Sequence, residues 1–247
     1  MKFEVKHVNE LKKKNKDAIF LGCGKSINSL TDSHIDFMKN NLDIWTSNSF
    51  MINKDIIPDF YHLEVKHHRN GPVVKRTCKE KCEKYKNVKW IIDATRPYLL
   101  DYIGVQNYPQ ENFFGYTKIY RRENDGKYKP DPMSLSVSLN ASLSLICDLI
   151  IKMKYDKVYF LGVDMYDSEY FWTHSKKYED VLIEDIIRTN KPDERKPTDM
   201  HPTYKMKDFI KEIFEFNNSK AINLSEKSLL SSTIETRNIS EEFINEI

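Results

Sequence analysis

The stretch Asp17-Ala-Ile-Phe-Leu-Gly-Cys-Gly-Lys-Ser26 decides the fold. An apolar run that breaks straight into two glycines suits a buried strand followed by a tight turn. Behind it, Thr31 to Asn41 places Ile35 and Met38 at helical spacing, with Thr31, Asp32 and Ser33 as candidate caps. Ile44 to Ser47, Phe60 to Leu63 and Val88 to Ile92 then read as three further strands. Alternation of strand and helix is the signature of a parallel sheet covered by helices.

The second half continues the pattern. Ser134 to Met153 is the longest helical candidate, with Leu139, Leu143, Ile146 and Ile150 as its apolar stripe. Tyr155 to Leu161 reads as a strand ending at Gly162-Val163-Asp164. Residues 167–200 lose periodicity, become highly charged and carry Pro192 and Pro197. An irregular stretch of that length inside a compact domain reads as a lid. His201-Pro202 is expected to open a helix running to about Asn217, proline being favoured at the first helical position, and Ala221 to Leu224 closes the series as a strand. The expectation is α/β: one Rossmann-like nucleotide-binding domain over residues 1–247, with a mainly parallel sheet, helices on both faces, and a lid.

Composition bounds the function. The 247 residues carry 39 Lys+Arg against 37 Asp+Glu, a formal net charge of +2, which argues against a nucleic-acid partner. Hydrophobic content of 40% is too high for a disordered chain, even with 31% charged residues. The start, Met1 to Lys16, is polar and lysine-rich with no apolar run of signal-peptide length after it, and Leu143 to Met153 is interrupted by Asp148 and too short to cross a bilayer. Cys23, Cys78, Cys82 and Cys147 include one close pair only, so a zinc site is not expected and reduced, cytoplasmic cysteines are.

The glycine turn admits several readings. A P-loop needs a glycine five positions before Gly24, where Ile19 stands, and the dinucleotide fingerprint needs one three positions after it, where Ile27 stands. A class I methyltransferase matches Leu21 to Gly24 but has Ser26 at its third glycine. Its second strand would end in an acidic residue, and here the strand ends in Thr46-Ser47-Asn48. A nucleotide-binding protein of the motility-associated or pterin-diphosphokinase-like group, a plain tight turn, and a non-enzymatic interaction module also stay open.

Five motifs occur in one order: Gly22 to Ser26, Ser47-Asn48-Ser49-Phe50, Phe60-Tyr61-His62, Tyr159 to Tyr166, and His201 before a late helix. In that order, from about Ala18 to Leu230, the chain resembles the bacterial sialyltransferases of glycosyltransferase family 42, the lipooligosaccharide α-2,3- and α-2,3/2,8-sialyltransferases. The resemblance implies an inverting, metal-independent transfer of a sialic acid or related sugar from a CMP-activated donor to a glycan acceptor, with no cofactor. It implies that His201 is the base and that Tyr166 and Tyr170 receive the departing phosphate. Gly22, Cys23, Gly24 and Ser26 would pass the nucleotide, with Gly162 and Asp164 beside them. Asn48 would hold the cytidine ribose, and Ser138, Asn140 and Ser142 would fall near the donor. Cys23 and His62 stand where the family carries asparagine, which bears on the identity of the sugar. A homo-oligomer, tetrameric in the family, and peripheral association with the inner face of the membrane are implied as well.

The residue types suit that chemistry. Phenol hydroxyls four residues apart can donate to a phosphate as its charge grows. A monophosphate leaving group needs less neutralisation than a diphosphate, and no Asp-x-Asp pair is present to seat a divalent cation. A histidine at a helix N-terminus is held neutral by the positive end of the dipole, as a base must be.

Overall fold

The computed structural model of the chain describes residues 5–64, 71–95, 108–120, 135–138, 142–165, 170–173, 175–179 and 206–244, with the backbone alone for 71–74, 118–120 and 135–138. Strand β2 (Asp17–Leu21) is central. Ala18 and Phe20 enter the core on one face of the sheet, Ile19 and Leu21 the core on the other. Burial on both faces is why its sequence is a continuous apolar run and not an alternation.

From β2 the chain passes through α1 (Asp32–Asn41), whose first turn is closed by Thr31. The Thr31 hydroxyl accepts from His34 N, and His34 Nδ1 accepts from Thr31 N. Strands β3 (Leu42–Ser47) and β4 (Phe60–Leu63) follow, then α2 (Gly71–Glu80), β5 (Lys89–Asp93) and β6 (Phe113–Tyr120). Each of β3 to β6 adds outward on the same side of β2, and β1 (Lys6–His7) pairs at the far side of β6. The chain then reverses. After β7 (Leu135–Ser138) and α3 (Ser142–Lys152), β8 (Lys157–Leu161) returns to the other side of β2, followed outward by β9 (Lys220–Asn223) and β10 (Glu235–Thr236). All of these strand pairings are parallel. Helices α3 and α4 (Met206–Phe216) cover one face through residues such as Leu145, Leu149, Phe209 and Ile213. On the opposite face, α1 and α5 (Ile239–Ile244) bury Ile35, Met38, Ile239 and Phe243, while α2 contributes Cys78 to a cluster around Trp90 and Tyr61. The architecture is the doubly wound α/β sheet expected from the sequence, and its strand order reverses between β2 and β8.

One expectation needs correction. The single helix expected over Ser134 to Met153 is a strand followed by a shorter helix. In Leu135-Ser-Val-Ser138 the apolar residues alternate, so this stretch extends and pairs with Thr117–Tyr120 of β6. Of the stretch expected as a lid over 167–200, only residues 170–173 and 175–179 are described, and these pack on the body. Tyr178 and Trp172 are buried, Lys54 donates to the Lys177 carbonyl, and Lys177 pairs with Asp55. The remainder of that stretch, and the expected helix start at His201-Pro202, lie outside the described residues.

The N-terminal end of the sheet is closed by a buried carboxylate. Asp43 is fully buried and accepts from Lys14 N, from Asn15 N and Nδ2, and from the Tyr155 hydroxyl, which in turn accepts from Trp45 Nε1. Four donors converge on one charge, and they tie the β1–β2 connection and the start of β8 to β3. Asp43→Ala leaves the buried Tyr155 hydroxyl and two backbone amides without an acceptor. It should lower unfolding free energy by about 2–4 kcal/mol in a urea titration; a loss under 0.5 kcal/mol would show that this network is not what closes the sheet.

Candidate functional site

The C-terminal ends of β2, β3, β4 and β8 meet where the strand order reverses, the place at which open α/β sheets take ligands. Two hydrogen-bonded clusters are built there.

The first is the glycine turn. Gly22 N donates to Leu161 O and Gly24 N to Gly162 O, both at 2.8 Å, so the turn stays zipped to the end of β8. The approach is too close for side chains. A Cβ on Gly22 would lie 2.3 Å from the Gly162 oxygen, and one on Gly162 would lie 2.5 Å from the Gly22 oxygen. Gly162 also has φ of +74°, in the left-handed region. Asp164 fixes the turn from below. Its carboxylate accepts from Ser26 N (2.9 Å) and Ser26 Oγ (2.5 Å), and Ser26 Oγ accepts from Gly162 N. The glycines are therefore required by contact between two loops of the protein itself. The amides of Gly22, Gly24 and Ser26 are all engaged internally, so these three do not form a phosphate cradle.

Residues 170–173 lie against this turn. Gly24 and Tyr170 form an antiparallel bridge, Phe171 N donates to Cys23 O, and Asn28 Nδ2 donates to Phe171 O. The Tyr170 ring stacks on Trp172 with centroids 4.5 Å apart. Desolvation pushes the Cys23 thiol up to about 12, which favours the protonated form.

The second cluster lies across β3. Asn48, directly after β3, has φ of +47°, and its carbonyl accepts from the Tyr61 hydroxyl. Its Nδ2 donates to Ser142 Oγ at 2.9 Å, Ser142 Oγ donates to Glu64 Oε2 at 2.6 Å, and Glu64 N donates to Asn48 Oδ1 at 2.8 Å. The ring closes on itself, joining the ends of β3 and β4 to the first residue of α3.

Of the residues singled out from the sequence, Gly22, Cys23, Gly24, Ser26, Gly162, Asp164 and Tyr170 come together in the first cluster, Asn48 and Ser142 in the second. His62 is placed differently. It is fully buried on the α3 side of the sheet and its Nε2 pairs with the Tyr116 hydroxyl at 2.8 Å. Ser138 is described by its backbone at the end of β7, while Tyr166, Asn140 and His201 lie outside the described residues. Glu64 was missed. The available signal was an acidic residue directly after a short strand at the carboxyl edge of the sheet.

Gly162→Ala should be damaging at its backbone, since alanine meets both the positive φ and the Gly22 carbonyl. A loss of about 2–4 kcal/mol in thermal or urea unfolding is expected. An alanine variant as stable as wild type would contradict the close approach of the two loops.

No protein-family profile and no curated relative matches the chain. Among solved structures, it is similar to the monofunctional α-2,3-sialyltransferase Cst-I from Campylobacter jejuni, with a TM-score of 0.51 at 14% identity over 97% of this chain and 85% of that one. The sialyltransferase CstII from the same organism, in complex with CMP-3FNeuAc, gives 0.49 at 13% identity over 91% and 87%. The likeness to Cst-I establishes a shared fold along nearly the whole chain, the fold expected from the motifs.

Proposed function

We propose that this protein is a glycosyltransferase that moves a sialic acid or related sugar from a CMP-activated donor to a glycan acceptor, with inversion at the anomeric carbon and without a metal. The observation that supports it most is Asn48. The residue that the family resemblance assigns to the cytidine ribose stands at the carboxyl edge of a sheet shared with Cst-I, its amide fixed by partners on both sides. The glycine turn has a supporting part: it sets the spacing of β2 and β8 and carries Tyr170.

In this reading the donor's carbon–oxygen bond breaks through an oxocarbenium-like state while negative charge grows on a single phosphate. Tyr166 and Tyr170 donate hydrogen bonds to that phosphate, and these strengthen as the charge develops. A monophosphate asks for little more. His201, neutral at physiological pH, takes the proton of the attacking acceptor hydroxyl. Cys23 and His62 offer no amide where the family carries one, which favours a sialic-acid-like sugar recognised through other contacts. Among the described residues no helix is long and apolar enough to cross a membrane. Peripheral attachment and a homo-oligomer belong to the same proposal.

Melting with CMP, UDP, GDP, ATP and S-adenosylhomocysteine tests the nucleotide. CMP at a hundred times its dissociation constant should add about 2.7 kcal/mol. Stabilisation by S-adenosylhomocysteine in its place would support a methyltransferase, and no shift with any of them an interaction module. His201→Ala should keep the CMP shift while transfer falls by about 10²–10⁴, and transfer should persist in EDTA. Undiminished turnover by the variant would remove the proposed base.

A further inference from the structure

We infer that Glu64 is the positioning residue for Asn48 and that the ring they form with Ser142 gives the nucleotide site its requirement for a ribose diol. The inference rests on the CMP reading above and adds a residue to it.

Donor and acceptor roles around the ring are forced. A side-chain amide accepts at one end and donates at the other. Glu64 N–H can only donate, so the Asn48 Oδ1 end must face it and the amide nitrogen must face Ser142. Ser142 Oγ, accepting there, has one proton left to give. It goes to Glu64 Oε2 at 2.6 Å, the short distance of a hydroxyl bonded to a carboxylate. A carboxylate only accepts, so the order cannot run backwards. Ser142 opens α3, and the positive end of that eleven-residue helix favours the charge on Glu64. Asn48 is held through its backbone as well, by the Tyr61 hydroxyl, in the left-handed conformation that asparagine tolerates better than other non-glycine residues.

The orientation has a chemical consequence. An amide bonded once at each end keeps one N–H and one lone pair for a ligand. Paired hydroxyls, which both donate and accept, match that set, and a carboxylate in the same ring matches the acidic residue that holds ribose hydroxyls in other doubly wound folds. All three side chains are half-buried, so the ring is reachable from the crevice.

The test is the affinity of the full-length protein for CMP, 2′-deoxy-CMP and 3′-deoxy-CMP by calorimetry. Wild type should bind CMP more tightly than at least one deoxy analogue. Glu64→Ala should weaken CMP by about 10- to 100-fold, the worth of a charge-assisted hydrogen bond, and erase the discrimination while leaving deoxy-CMP affinity within about twofold. Glu64→Gln, whose carbonyl accepts the Ser142 proton, should restore CMP binding to within about threefold of wild type. Equal weakening of all three nucleotides by Glu64→Ala, or of none, would overturn the inference. Should Glu64→Ala not fold, Ser142→Ala breaks the same ring and must show the same loss of discrimination. Wild-type protein that binds no cytidine nucleotide would instead refute the CMP reading, and this inference with it; binding of CMP with intact discrimination in the variants refutes the inference alone.

Discussion

The close passage of Gly22 against Gly162 is the constraint on which the rest depends. Strands β2 and β8 are neighbours in space and 140 residues apart at Asp17 and Lys157, and their ladder continues past both strand ends into two loops. Nothing larger than hydrogen fits between those loops. With the loops in contact, Asp164 can reach Ser26, and Tyr170 can pair with Gly24. The carboxyl edge of the sheet is thereby fixed at the point where strand order reverses, and Asn48 on the adjacent strand projects from a rigid base.

Polar groups are buried at both ends of this sheet, with opposite consequences. At the amino end, Asp43 accepts from four donors of the protein and closes the structure. At the carboxyl end, the ring of Asn48, Ser142 and Glu64 uses one bonding position at each end of the Asn48 amide and stays half-buried. A fully satisfied network is a structural device; one with bonding capacity left at a crevice is suited to a ligand. The same comparison separates Asp164, committed to Ser26, from Glu64, whose partners sit beside the opening.

Local pattern carried much of the fold into the sequence. Asp17–Leu21 and Phe60–Leu63 are legible to the residue because strands buried on both faces are dominated by apolar and aromatic side chains. Thr31 announced α1 through its cap. Where two elements abut without a glycine or proline between them, pattern failed: the alternation in Leu135–Ser138 was absorbed into the periodicity of α3. Strand β6 and helices α2 and α5 also went unread. The site was legible in its members and not in its partnerships. The glycines were visible, but the reason for them, a second loop 140 positions along, was not. Likewise Asn48 was named from a motif, whereas its bonds to Ser142 and Glu64 span 94 and 16 residues and leave no periodic trace. The resemblance sets His62 at the place of a family asparagine, and its parity on β4 turns it toward Tyr116 in the core.

In the proposed function, nucleotide is taken by the Asn48 ring at the ends of β3 and β4, with the glycine turn as scaffold. Hydrogen–deuterium exchange with and without CMP tests it most directly. CMP should slow exchange over residues 46–50, 62–64 and 142–146 and leave the amides of Asn15 and Tyr155, at the other end of the sheet, unchanged. Protection confined to the open groove between α4 and β9, lined by Lys211, Glu215, Lys220 and Glu235, would contradict it.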